Sequence, residues 1–194
     1  MGFDTYTAEE AKRKLIEGNQ RYTASGTAAV DASPEILERA DRNGQKPYAI
    51  VITCSDSRVI PEAIFSAGIG DLFVIRVAGN VIDRHQLGSI EYAAWHLGTR
   101  LIVVLGHDGC GAVNAAMHHQ SDGYIKSITD EILKAIGNET DERKACCLNV
   151  QHSCEVIADS LQIRNDSTEN GLCVIGAVYH LESGEVEFLD SMNP

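Results

Sequence analysis

Apolar residues along this chain fall into two rhythms, and the alternation between them lays out the fold. Ile50-Val51-Ile52, Leu72-Phe73-Val74-Ile75, Leu101-Ile102-Val103-Val104-Leu105 and the stretch from Leu172 to Leu181 are short, nearly unbroken apolar runs of strand length. Such runs mark strands buried on both faces, the habit of parallel sheets covered by helices. Between them a three-four spacing takes over: Ala11, Leu15, Tyr22; Leu87, Ile90, Ala94, Leu97; Ile125, Ile128, Ile132, Leu133, Ile136; then Cys147, Val150, Cys154, Ile157, Leu161. Strand, helix and strand in succession predict βαβ units with right-handed crossovers.

Local signals set the boundaries. Thr7-Ala8-Glu9-Glu10 reads as a capping box opening a helix over 8–23, and Ser33 followed by Pro34 opens a second through about Asn43, after a stretch of small residues. A short helix follows at Pro61–Phe65, strands at 71–77 and 101–106, and a helix at Gly111–Met117. Asn165 to Asn170 reads as a loop, and the turn at Glu182–Glu185 leads into a short last strand, 186–190, antiparallel to its neighbour. The fold class is therefore α/β, a central mostly parallel sheet of four parallel strands plus a short antiparallel edge strand, flanked by helices. One domain over 1–194 accounts for the length, with a helical arm at about 1–44 packing on the body or on a partner subunit.

Charge narrows the partners. With 28 acidic against 16 basic residues and a net charge of -12, the surface repels nucleic acid and anionic membranes. Met1 to Leu15 has no apolar core of a secretory signal, Tyr6 stands where a myristoylation signal at Gly2 needs Ser or Thr, and no apolar run approaches a membrane span. A cytoplasmic protein is expected, in which six cysteines are free thiols or metal ligands. Cys147 and Cys154 read as small core residues, and Cys146, Cys147, Cys154 and Cys173 are not needed for a metal.

The chemistry lies where apolar runs end. Ile50-Val51-Ile52-Thr53 runs into Cys54, Asp56 and Arg58; Leu101 to Leu105 runs into Gly106-His107-Asp108-Gly109-Cys110-Gly111. Groups at the carboxyl ends of parallel strands face a crevice, so Cys54, His107 and Cys110 converge there. Two thiolates and an imidazole are the ligand set of a catalytic zinc that keeps one position for water. Asp56 and Arg58, at alternating positions, would pair and orient that water. Gly109 and Gly111 flank Cys110 at a helix start, where free N–H groups favour a small anion. A zinc closed by Asp56 would instead be purely structural. A phosphatase cradle is excluded by spacing, since it needs five residues between Cys and Arg and three stand here.

Cys-x-Asp-x-Arg followed by His-x-x-Cys-Gly closely resembles the β-class carbonic anhydrases from about Gly44 through Ala116, and Pro61-Glu62, Gly70-Asp71-Leu72-Phe73-Val74, Ala78-Gly79-Asn80 and Ser89-Ile90-Glu91-Tyr92-Ala93 match in order and spacing. The resemblance implies a zinc lyase hydrating CO2 to bicarbonate and a proton, with Cys54, His107 and Cys110 on one zinc per chain. It implies Asp56 and Arg58 as catalytic dyad, and Gln45, Phe73 and Tyr92 as the substrate pocket, to which the helix start at Gly111 would add an anion rest of its own. It also implies a homodimer or larger assembly with the pocket at the subunit interface. Relatives that hydrolyse carbonyl sulfide or carbon disulfide are the alternative on the same scaffold. Val77 departs from the pattern, where many members carry Asn, and Val51 stands where members with a regulatory bicarbonate pocket carry Trp. No histidine among His85, His96, His118, His119, His152 and His180 is selected as a proton shuttle.

Overall fold

A computed structural model of the 194-residue chain describes residues 6–25 and 30–189. Gly2, the small-residue stretch at 26–29 and Asp190 at the end of the last expected strand lie outside the described residues. Strands β1 (Ala49–Thr53), β2 (Leu72–Arg76), β3 (Leu101–His107), β4 (Cys173–Tyr179) and β5 (Val186–Phe188) form one sheet in the order β2-β1-β3-β4-β5. The first four are parallel and β5 runs antiparallel to β4, as the apolar pattern predicts. The helices are α1 (Ala8–Ser25), α2 (Pro34–Asn43), α3 (Pro61–Ile64), α4 (Arg84–His96), α5 (Gly111–Met117), α6 (Ile125–Ile136), α7 (Glu142–Ala158) and α8 (Leu161–Asn170).

Strand periodicity divides the core in two. Val51, Val103 and Leu105 turn to one face of the sheet, where they pack with Ala11 and Leu15 of α1 and with Phe65. Ile50, Ile52, Ile102 and Val104 turn to the other, against Ile90 and Ala94 of α4 and Val150, Cys154 and Ile157 of α7. β1 and β3 are fully buried, whereas every residue of the edge strand β2 keeps some exposure. A third cluster lies past the carboxyl ends of the strands, where Cys54 and Cys110 meet Val113 of α5 and Ile132 and Ile136 of α6.

The capping signals form as read: Glu10 accepts from the Thr7 N–H at 2.9 Å, and the Ser33 side chain accepts from the Ile36 N–H. α1 lies close against the body because Gly18 has no side chain; a Cβ there would sit 1.9 Å from the Phe65 carbonyl oxygen. α2 buries no residue.

Two expectations need correction. Asn165 to Asn170 is not a loop but the end of α8, which Ser160 caps and Gly171 closes at φ 69°. Its polar composition belongs to a solvent face: Ile163 alone is buried, and Arg100 anchors Asp166 through both carboxylate oxygens at 3.0 Å. Because α7 ends at Ala158, Leu161 does not extend its apolar line, and it is exposed. The second correction shifts that line by one residue, since Cys146 is buried and Cys147 only half-buried. Gly106 decides the matter: a Cβ there would meet Val150 Cγ2 at 2.5 Å and Cys146 Sγ at 3.0 Å, so its bare backbone makes room for these two side chains. Among the described residues, no helix is long and apolar enough to cross a membrane.

Candidate metal centre

Parallel pairing of β1 with β3, in register through Thr53 and Leu105, brings two strand ends side by side. Thr53 reinforces the junction by donating its hydroxyl to the Leu105 carbonyl at 2.8 Å. Cys54 follows β1 directly, His107 closes β3, and Gly109 at φ 61° turns the chain so that Cys110 opens α5 beside them. The donor atoms of Cys54, His107 and Cys110 all lie within 4.8 Å of one another, and all three residues are buried. Among the described residues this is the one such group of His, Cys, Asp or Glu able to hold a metal ion.

Their chemistry fits zinc. The two sulfurs are 3.9 Å apart, close to the roughly 3.8 Å edge of a tetrahedron built on 2.3 Å Zn–S bonds. His107 Nδ1 lies 2.9 Å from the Asp108 carbonyl and donates to it, which leaves the Nε2 lone pair free. That Nε2 is buried with no hydrogen-bond partner, a condition a metal relieves. The thiols lean on each other: contact with Cys110 pulls the Cys54 thiol down against the effect of burial, with His107 and the Gly79 N–H assisting, while Cys110 is pushed up by the same contact and by burial. Burial pulls the His107 imidazole down, but the Cys54 sulfur and the Asp108 carbonyl more than offset it.

Asp56 stands over this group. Arg58 grips its carboxylate in a fork, Nε to Oδ1 at 2.9 Å and Nη2 to Oδ2 at 2.7 Å, and the Arg58 N–H adds a third bond at 2.9 Å. The clamp holds the Asp56 carboxyl well below the usual carboxylate range, so it is ionised and can only accept. Arg58 also reaches the Gly109 carbonyl at 3.3 Å, tying the two strand-end turns together.

The expected pocket residues divide. Gly111 adjoins Cys110 at the start of α5, a helix of only seven residues. Phe73 and Tyr92 pack on each other, ring centroids 6.4 Å apart, yet Phe73 is in register with Ile50, about 13 Å along the strand from Cys54. Gln45 is exposed in the link between α2 and β1. The chain thus gathers Cys54, Asp56, Arg58, His107, Cys110 and Gly111, and leaves Gln45, Phe73 and Tyr92 on its outer side.

Two contributors escape a reading of the sequence. Arg76, level with Thr53 on β2, donates to the Cys54 carbonyl at 3.2 Å and to the Asp56 carbonyl at 2.7 Å, fixing the turn that carries both. The Gly79 N–H donates to Cys54 Sγ at 3.3 Å. The signal for the first is an arginine ending a strand; for the second it is Ala78-Gly79-Asn80, a recognisable word with no side-chain chemistry of its own.

A family model for carbonic anhydrase matches residues 49–186. The carbonic anhydrase of Mycolicibacterium smegmatis is 38% identical over 190 residues, covering 91% of this chain and 91% of that protein. Among solved structures, the β-carbonic anhydrase CafA of Aspergillus fumigatus superimposes with a TM-score of 0.74 at 27% identity, over 96% of this chain and 92% of that one. A structure from the work on two tetrameric β-carbonic anhydrases of Sordaria macrospora gives a TM-score of 0.67 at 28% identity, over 80% of this chain and 91% of that one.

Proposed function

The chain belongs to the β-class carbonic anhydrase family, enzymes of reversible CO2 hydration, and on that premise we propose that Cys54, His107 and Cys110 hold one catalytic zinc per chain. The observation that carries the assignment is the buried, unpartnered His107 Nε2 facing two thiols within 4.8 Å. Zinc held there supplies a Lewis acid that lowers the pKa of a water at its fourth position.

The chain's own residues do the rest. Asp56, ionised and acceptor-only, takes a hydrogen bond from the attacking oxygen and so aims its lone pair at the carbon of CO2. Arg58 holds Asp56 in that posture, and the Gly109 contact keeps the clamp in register with the Cys110 turn. Gly111 borders the space where the bicarbonate product forms. The proton leaves to bulk buffer.

CO2 is small and apolar and needs an apolar wall, which Phe73 and Tyr92 do not give their own chain's Cys54. We assign them, with Gln45, to the site of a second copy in a homodimer or larger assembly. The half-exposed edge strand β2 and the unburied α2 are the surfaces such a copy would cover, and the Sordaria macrospora relatives are described as tetrameric. One unit spanning 1–194, with the arm at about 1–44 contributing to assembly, and a cytoplasmic location consistent with six free cysteines complete the reading. Carbonyl sulfide or carbon disulfide hydrolysis and a purely structural zinc are not favoured, because the relatives are carbonic anhydrases and Arg58 holds Asp56 in its own fork.

Elemental analysis with stopped-flow CO2 hydration tests the proposal. The wild-type protein is expected to carry one zinc and turn over CO2, and Cys54→Ser to lose both. Full zinc occupancy in that variant would overturn the ligand assignment.

A further inference from the structure

We propose that Asn149 of α7 is a positioning residue for the metal centre, acting on Cys54 through the backbone of Gly79; this rests on the metal reading above. Asn149 is buried, and its Nδ2 donates to the Gly79 carbonyl at 2.8 Å. The N–H of the same glycine donates to Cys54 Sγ at 3.3 Å. A side chain ninety-five positions downstream of Cys54 thus fixes, through one residue, a backbone N–H that donates to that sulfur.

The turn that relays the contact has no slack. Gly79 sits at φ 68°, and a Cβ there would meet Ile132 Cδ1 at 2.8 Å and Ala112 Cβ at 3.0 Å, so α5 and α6 close over it. One helical turn beyond Asn149, Ser153 donates to the Asn80 carbonyl at 3.0 Å. α7 therefore grips the 78–80 turn twice, but only the Asn149 grip holds the residue that bonds the sulfur. An N–H donated to a thiolate draws charge off it, weakens it as a donor and fixes its direction, which is how groups behind metal ligands tune a site.

A merely structural asparagine would satisfy a buried carbonyl and affect stability alone, so the test reads the sulfur itself. The protein is reconstituted with cobalt(II), which takes zinc's ligands and gives a thiolate-to-metal charge-transfer band. In Asn149→Ala that band is expected to move to longer wavelength, as the unrelieved thiolate becomes the better donor. Because the sulfur is then no longer held in direction, and lost orientation outweighs the gain in donor strength, metal release to a chelator should quicken about 10- to 100-fold. Asn149→Ser, whose hydroxyl is too short to reach the Gly79 carbonyl, gives the same readout if the alanine variant does not fold. Ser153→Ala should leave the band in place. A band unmoved in the Asn149 variants, or moved as far by Ser153→Ala, overturns the proposal while leaving the metal assignment standing. A wild-type protein that binds no cobalt overturns both.

Discussion

Asp56 Oδ2 lies 3.9 Å from His107 Nε2, and Arg58 holds that same oxygen at 2.7 Å. One carboxylate oxygen therefore faces both the imidazole proposed to bind the metal and the guanidinium that keeps it in place. Without the Arg58 side chain only the residue-58 N–H on Oδ1 is left of the clamp, and Oδ2 is released to swing toward the metal position. Arg58→Ala is expected to keep its zinc and lose about 10- to 100-fold in kcat/KM for CO2 hydration. Arg58→Lys should not restore it, since a lysine cannot form the two-pronged fork. Elemental analysis and stopped-flow assay check both statements, and an alanine variant of undiminished kcat/KM would remove Arg58 from the mechanism.

The clamp also has a pH signature. Because Arg58 lowers the folded-state pKa of Asp56, its contribution to stability is complete above the ordinary carboxylate value of about 4 and is lost as pH falls further, toward the lowered value. Arg58 is exposed, so solvent screening keeps the contribution small. Thermal melts of wild type and Asp56→Asn at matched metal content should differ at pH 7 and converge well below pH 4. A gap that widens on acidification would mean the sign is wrong.

If Phe73 and Tyr92 serve the site of a second copy, two defective chains can mend each other. Cys54→Ser spoils the metal, and the double variant Phe73→Ala/Tyr92→Ala spoils the wall. A mixed dimer of the two contains one site with both parts intact. Co-refolding equal amounts is expected to recover about a quarter of wild-type activity, since half the dimers are mixed and each carries one good site of two. Activity no higher than the mean of the separate variants would place the wall within a single chain.

The sheet was legible because its strands are buried on both faces, so Ile50–Ile52 and Leu101–Leu105 announce themselves without alternation. The convergence of Cys54, His107 and Cys110 was legible because each follows closely on such a run. What the chain did not disclose depends on contacts between distant segments. Asn165 to Asn170 carries the polar residues of a loop, and it is helical because Ser160, Gly171 and Arg100 hold it so. Cys146 and Cys147 fit the α7 rhythm equally well, and the missing side chain of Gly106 chooses between them. The Gly79 N–H has no sequence signature at all beyond the glycine. Gln45, Phe73 and Tyr92 come forward as a pocket only through resemblance, since within one chain they do not meet Cys54, His107 and Cys110.

Gly18 sets how closely α1 can approach the body, and its replacement tests whether that helix belongs to the folded core. A Cβ at this position would lie 1.9 Å from the Phe65 carbonyl oxygen and 2.8 Å from its carbon, and backbone atoms, unlike the tip of a flexible side chain, cannot turn aside. Relief requires α1 to move outward as a unit. That movement strains the Asn19 bonds to the Ile64 and Gly184 carbonyls and to the Val186 N–H, which join α1 to α3 and to the β5 hairpin. Alanine is the better helix former by about 1 kcal/mol, so propensity alone predicts a gain. Overpacking against fixed backbone costs about 3 kcal/mol or more and wins. Gly18→Ala should therefore lower Tm by several degrees, with enhanced proteolysis in α1 and zinc retained, because Cys54, His107 and Cys110 lie on other elements. A Tm equal to or above wild type would show that α1 is only loosely laid on the body.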